Sequence, residues 1–243
     1  MIILTGFEGL ILKQINYKES SKILYIYTPE GLISLLVHGA KKLSSPFLRA
    51  TESLNFIRGY YTGKGLKTLT DAEIIQDYQS IKNDLNKVTY VSHLMELLAS
   101  FAESEYDHKK LYDFVIRLLD KISDASAYIR YIYMFELKFL YMLGISPNFK
   151  NCVECSSTDN LRFSVKSGGF CCEKHFPAAD KIYSDEAISI ISKLFYHDLN
   201  QPLEVIINQS VGKEIRLILD DYYLFHLGFQ SKSRKVLNGL LGY

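Results

Sequence analysis

All four cysteines of the chain fall within residues 152–172. Two of them form Cys152-Val-Glu-Cys155, a CxxC pair, and another opens Cys172-Glu-Lys-His175, a CxxH pair. A two-residue spacer lets both side chains of a pair bend toward one ion, and thiolate and imidazole are the donors zinc takes in closed, four-ligand sites. The candidate metal ligands are therefore Cys152, Cys155, Cys172 and His175, holding a structural Zn2+. Four protein ligands leave no open position for substrate, so the site predicts folding energy rather than catalysis. Cys171 is surplus and competes with Cys172 for one position. Ser167-Gly168-Gly169 precedes the second pair and supplies a tight turn that returns it to the first. Disulfides or unconnected thiols are the other options. A reducing cytosol disfavours the former, and the pairing of two knuckles disfavours the latter.

A second group of residues could hold phosphate. Residues 1–67 carry nine basic and four acidic side chains, a net of +5, whereas the whole chain of 243 residues is only +1. Such asymmetry points to a polyanion-binding N-terminal module on a neutral or acidic body, or to a solvated sheet face. Lys41 and Lys42 lie in a glycine-containing loop, GAKKLSSPFLR, from which flexible ammonium groups can reach phosphates. Lys13, Lys22, Arg49 and Arg58 extend the candidate polyanion-binding track. Phe56 and Tyr60 share strand parity with Arg58, so they either stack on bases beside the charge or fill a barrel interior. Lys232, Arg234 and Lys235 form a smaller basic segment at the end of the chain. Lys150, Arg162, Lys166 and Lys174 form another around the cysteines.

Those residues need a frame, and the pattern supplies it. Residues 7–15, 22–28, 32–38, 53–61 and 66–75 read as five short β-rich runs separated by turn signals. Five strands in this length, with a longer connection after the third, fit an OB-type barrel, with an SH3-like barrel as the nearest competitor. After Tyr78 the periodicity is helical over residues 84–100, 109–122, 127–143, 184–195 and 212–228. Gly144 and Pro147 end the central, almost wholly apolar helix. The expected architecture is multi-domain β + α. It comprises an OB-type barrel (residues 1–80), the first part of a helical body (81–150), an inserted zinc-knuckle, zinc-ribbon-like element (151–180), and a second helical part with a basic tail (181–243).

Several functions are excluded by what is missing. Gly63-Lys-Gly65 lacks the P-loop frame, no GxSxG occurs, and acids form no metal-carboxylate cluster. A non-enzymatic protein is expected. The N-terminus does not read as a signal peptide, and no apolar stretch is long enough to span a bilayer, so the expectation is a soluble, cytoplasmic chain with no membrane partner.

The order of parts resembles the RecO family of bacterial DNA-repair and recombination mediators. The likeness is carried by Gly9-Leu-Ile-Leu-Lys13 with Tyr17-Lys-Glu-Ser-Ser21, by Thr28-Pro-Glu-Gly31, and by the loop His38-Gly-Ala-Lys-Lys42 with Ser44-Ser45. Gly65-Leu66 with Thr70-Asp-Ala-Glu73 continues it, as does Phe135-Glu-Leu-Lys-Phe-Leu-Tyr-Met-Leu-Gly144 before Pro147. Tyr222-Tyr223, His226 and Lys232-Ser233 resemble the family's last helix and tail. One departure is His175, where a cysteine is commoner in the family. The resemblance implies binding of single- and double-stranded DNA, annealing of complementary strands, and work with RecR, SSB and RecA in loading recombinase during recombinational repair. A protein-interaction adaptor with weak intrinsic DNA affinity is the alternative from another class.

Overall fold

The computed structural model describes residues 3–233. Within it the chain forms two compact units, one running up to Asp124 and the other spanning Ala125–Lys232.

The first unit begins with β1 (Leu4–Tyr17), β2 (Ser21–Thr28) and β3 (Gly31–Val37). A short α1 (Phe47–Ala50) follows, then β4 (Phe56–Thr62) and β5 (Thr68–Gln76). The strands close into a barrel in the order β1-β2-β3-β5-β4, an OB-like arrangement. Long β1 serves two neighbours, pairing antiparallel with β4 through its first half and with β2 through its second. Closure between β3 and β5 rests on a single parallel pair, Leu36 with Thr68, joined by the Leu36 N–H donating to Lys67 O at 2.9 Å. Alternation puts Ile11, Leu24, Ile26, Leu35, Val37, Ile57 and Leu69 inside, where they form the core.

Parity decides which polar and aromatic side chains face out. On β4, Ile57 and Gly59 point inward, so Phe56, Arg58 and Tyr60 share the outer face. Phe56 and Tyr60 are therefore not barrel core. The interior is filled instead by the aliphatic set above. Gly59 is required at its position, because a Cβ there would stand 2.4 Å from Asp71 O.

Helices α2 (Gln79–Lys82), α3 (Leu85–Ser100) and α4 (His108–Asp124) complete this unit. Asp84 caps α3, its carboxylate accepting from the N–H groups of Asn86 and Lys87. Helix α4 covers part of the barrel's outer wall. Tyr27, fully buried, reaches His108 Nδ1 at 3.2 Å, and Phe56 meets Tyr112 edge-on.

The second unit is built on α5 (Ile129–Met142), α6 (Asp185–Tyr196) and α7 (Gln209–Leu227). Helix α5 is buried over most of its circumference, as its apolar sequence demands. Tyr133 donates to Gly212 O and Tyr223 to Glu136 O, fastening α5 to α7. Ser184 caps α6 and Asn208 caps α7 through their side-chain oxygens. Between α5 and α6 lies a small element around the hairpin of β6 (Arg162–Ser164) and β7 (Gly169–Cys171). No helix among the described residues is long and apolar enough to cross a membrane. Arg234 and Lys235 lie outside the described residues.

Candidate metal centre and nucleic-acid interface

Two backbone turns present the metal-ligand candidates. The first knuckle is closed by the Ser156 N–H donating to Cys152 O at 2.9 Å and the Cys152 N–H donating to Ser157 O at 2.8 Å. In the second, the N–H groups of His175 and Phe176 both donate to Cys172 O. The hairpin brings the knuckles together. Asn148 N donates to Gly168 O, Phe170 N to Asn148 O and Val153 N to Phe170 O, so residues 148–153 lie along β7. Gly169 makes this approach possible, since a Cβ there would stand 2.6 Å from Asn148 O. Phe149 stacks on Phe163 and meets Phe170 edge-on, forming an apolar floor that Phe195 of α6 joins.

The outcome is one donor cluster. The sulfurs of Cys152, Cys155 and Cys172 and the ring nitrogen of His175 all lie within 4.8 Å of one another. Cys155 Sγ is 3.7 Å from Cys172 Sγ, and His175 Nδ1 is 3.6 Å from Cys152 Sγ and 3.3 Å from Cys172 Sγ. Zinc–sulfur and zinc–nitrogen bonds of about 2.3 and 2.0 Å, set tetrahedrally, require sulfur–sulfur and sulfur–nitrogen edges of roughly 3.8 and 3.5 Å. The donor set thus fits zinc in both chemistry and size. Cys171 is not in the cluster. It is fully buried on β7, and burial pushes its thiol pKa up.

The electrostatics suit thiolates. Burial acts upward on Cys152, but N–H groups of Cys172, Glu154 and Cys155 outweigh it and bring its pKa down to about 6. Cys172 is lowered too: against burial stand its contact with Cys155 and the N–H groups of Lys174 and His175. The His175 pKa is raised by its contacts with the sulfurs of Cys152 and Cys172.

The six basic candidates on the barrel do not form one surface. Lys22 and Lys41 come together at one end, close enough that Lys41 helps lower the Lys22 pKa after burial. Lys22 Nζ donates to Thr51 Oγ1 at 3.3 Å, and Lys41 Nζ donates to Lys18 O at 3.1 Å. Lys42 is exposed in the same turn, and Arg49 is exposed on α1, two residues before Thr51. Lys13 stands apart, on the outer face, with its ammonium 4.3 Å over the ring of Tyr25. Arg58 is committed elsewhere. Its guanidinium is 2.7 Å from Glu8 Oε1, and Glu73 lies beside it on β5. Phe56 is covered by Tyr112, while Tyr60 is 43% exposed.

Three aromatic–cation pairs among the described residues of the barrel escaped the sequence reading. Besides Lys13 over Tyr25, Lys18 lies over Tyr17 at 5.4 Å and Lys67 over Tyr61 at 5.2 Å. Alternation around Leu24 and Ile26 was enough to turn Tyr25 outward. The register joining it to Lys13 depends on a β1 irregularity between Ile11 and Lys13, which no local pattern announces.

Comparison with known proteins covers nearly the whole chain. The family model described as Recombination protein O N terminal matches residues 1–78, and that described as Recombination protein O C terminal matches residues 82–235. The chain belongs to the RecO family. Among its relatives, DNA repair protein RecO of Halalkalibacterium halodurans is 30% identical over 238 residues, covering 96% of this chain and 94% of that protein. The protein of the same name from Bacillus cereus is 31% identical over 240 residues, with 96% of each chain covered. That from Exiguobacterium is 27% identical, covering 98% and 97%. The two RecO matches meet at residues 78–82. There Tyr78, buried and with a left-handed backbone, ends the barrel strands and opens α2.

Proposed function

We propose that this chain is a non-enzymatic DNA-binding protein of recombinational repair that holds and anneals complementary strands and assists recombinase loading. The observation that carries this reading is the RecO-family match along both parts of the chain. The barrel chemistry agrees with it. Lys22, Lys41 and Lys42, with Lys18 nearby, gather positive charge at one end, and the Lys13–Tyr25 pair offers charge beside an aromatic face. Ammonium groups neutralise phosphates without reading sequence, and tyrosine faces stack on any base. Annealing then needs no catalytic residue, since lowering the repulsion between two strands is sufficient. Contacts with RecR, SSB and RecA belong to the same proposal and rest on the family likeness. Cys152, Cys155, Cys172 and His175 would hold a zinc ion, which when bound cross-links the two knuckles. The chain's own part is to hold three sulfurs and one nitrogen within 4.8 Å of one another.

Gel-shift titrations on single- and double-stranded DNA across a salt series test the reading. Binding should weaken steeply with salt and depend little on sequence. Absence of salt-sensitive binding would leave the adaptor reading in its place.

A further inference from the structure

Between α6 and α7 the chain passes through residues 198–208 without helix or strand pairing. Its burial nevertheless alternates with a period of two. Leu203 is buried, Glu204 exposed, Val205 half-buried, Ile206 exposed, Ile207 half-buried and Asn208 exposed. An extended backbone resting one face on a support gives this pattern. Ile207 supplies part of that rest, its Cγ2 lying 3.5 Å from where a Cβ on Gly212 would stand. Among the described residues, no backbone–backbone hydrogen bond reaches residues 203–207. The segment has the exposure pattern of a strand edge, with no sheet partner among the described residues. Its outward side chain Ile206 is 92% exposed, and Tyr196 on adjacent α6 is 52% exposed. An open groove of about 550 Å³ runs beside it, lined by Lys193, Tyr196, His197, Pro202, Leu203 and Glu204 among others.

We propose that residues 203–207 pair with the same segment of a second copy of this chain, antiparallel, about a two-fold axis at Val205. An unpaired strand edge is a template for another strand, because its free N–H and C=O groups gain partners. The segment is its own complement. Antiparallel pairing about Val205 sets Leu203 against Ile207 of the second copy and Val205 against its counterpart, all on the half-buried face. Glu204 falls opposite Ile206, so the two Glu204 carboxylates are offset rather than opposed, avoiding the like-charge penalty of a direct cross-strand pair. Lys193 and Glu204, both exposed, give the patch charges of opposite sign. A two-fold axis uses one patch twice and closes the assembly at two chains. Two strands make a small contact, so the dimer is weak and concentration-dependent.

Sedimentation velocity of the full chain over a concentration series tests this. The sedimentation coefficient should rise toward that of a dimer, and backbone amides of residues 203–207 should gain hydrogen-exchange protection in parallel. Ile206→Asp, at a surface position, should keep the circular dichroism and melting of the parent and weaken association by about tenfold or more. A synthetic peptide of residues 200–208 should compete for the same edge and dissolve the dimer, which tests the contact without altering the chain. A chain that stays monomeric with those amides unprotected would overturn the proposal and leave the edge to a strand from a different protein. Association that both Ile206→Asp and the peptide leave intact would overturn it as well.

Discussion

At the scale of single residues, the two neighbouring cysteines separate cleanly. Cys172 Sγ lies in the donor cluster, whereas Cys171 is buried outside it. Cys172→Ser should abolish stoichiometric zinc and lower thermal stability, while Cys171→Ser should retain zinc; metal analysis of the two purified variants checks both. In metal-free protein the Cys152 thiol is already acidic, near 6 instead of 9. Its folded pKa lies below its unfolded one, so the thiolate stabilises the fold above the ordinary thiol range. That contribution fades as pH falls through about 6. Ultraviolet thiolate absorbance should titrate there and lose that step in Cys152→Ser. On the barrel, Lys13→Ala and Tyr25→Ala should each weaken single-strand binding, whereas Arg58→Ala should leave it nearly unchanged because Glu8 already engages the guanidinium. The salt slope should fall by roughly one unit for each phosphate contact removed. Arg58 shows a limit of reading a chain in one dimension. Its outward parity was legible beside Ile57, but its partner sits fifty positions away in sequence.

At the scale of elements, local signals served well where they were strong. The cap residues Asp84 and Ser184 mark helices that begin one residue later, and the five β-rich runs became five barrel strands. The ends were less legible. Strand β1 extends from Leu4 to Tyr17, beyond the run at residues 7–15, because partners on both sides continue the ladder. The four-residue helices α1 and α2 carry too short a period to be seen. Phe56 was ambiguous between interior and surface, and α4 resolves it by offering Tyr112 as an outer cover. In the metal element the turn glycines were legible as turn residues, but not the close approach they allow. Gly169→Ala would press a methyl against Asn148 O in a backbone conformation that side chains rarely adopt. It should cost about 1–3 kcal/mol and reduce zinc retention against a chelator, read by melting and by a colorimetric metal assay.

At the scale of the whole molecule, the compact units divide after Asp124, whereas the two family matches divide at residues 78–82, where the barrel strands end. Tyr27 and Phe56 on the barrel wall depend on α4 for cover. A fragment of residues 1–81 would bare both rings and forfeit on the order of 3–6 kcal/mol of burial. A fragment of residues 1–124 should therefore fold and melt cooperatively, while residues 1–81 should be markedly less stable or unfolded. Circular dichroism melts of the two distinguish these outcomes. If the basic end of the barrel carries the DNA contact, the longer fragment should also keep measurable, salt-sensitive binding.

The seclusion of Cys171 has a practical consequence for kinetics. In the intact fold this thiol is shielded from solvent, with a pKa raised by burial. An alkylating reagent can reach it only during openings of the surrounding structure. The chain therefore carries a native clock for those openings, and the mass gain at this one sulfur counts them without any engineered probe. Stripping zinc from protein loaded with it at the neighbouring donor cluster should make that clock run faster.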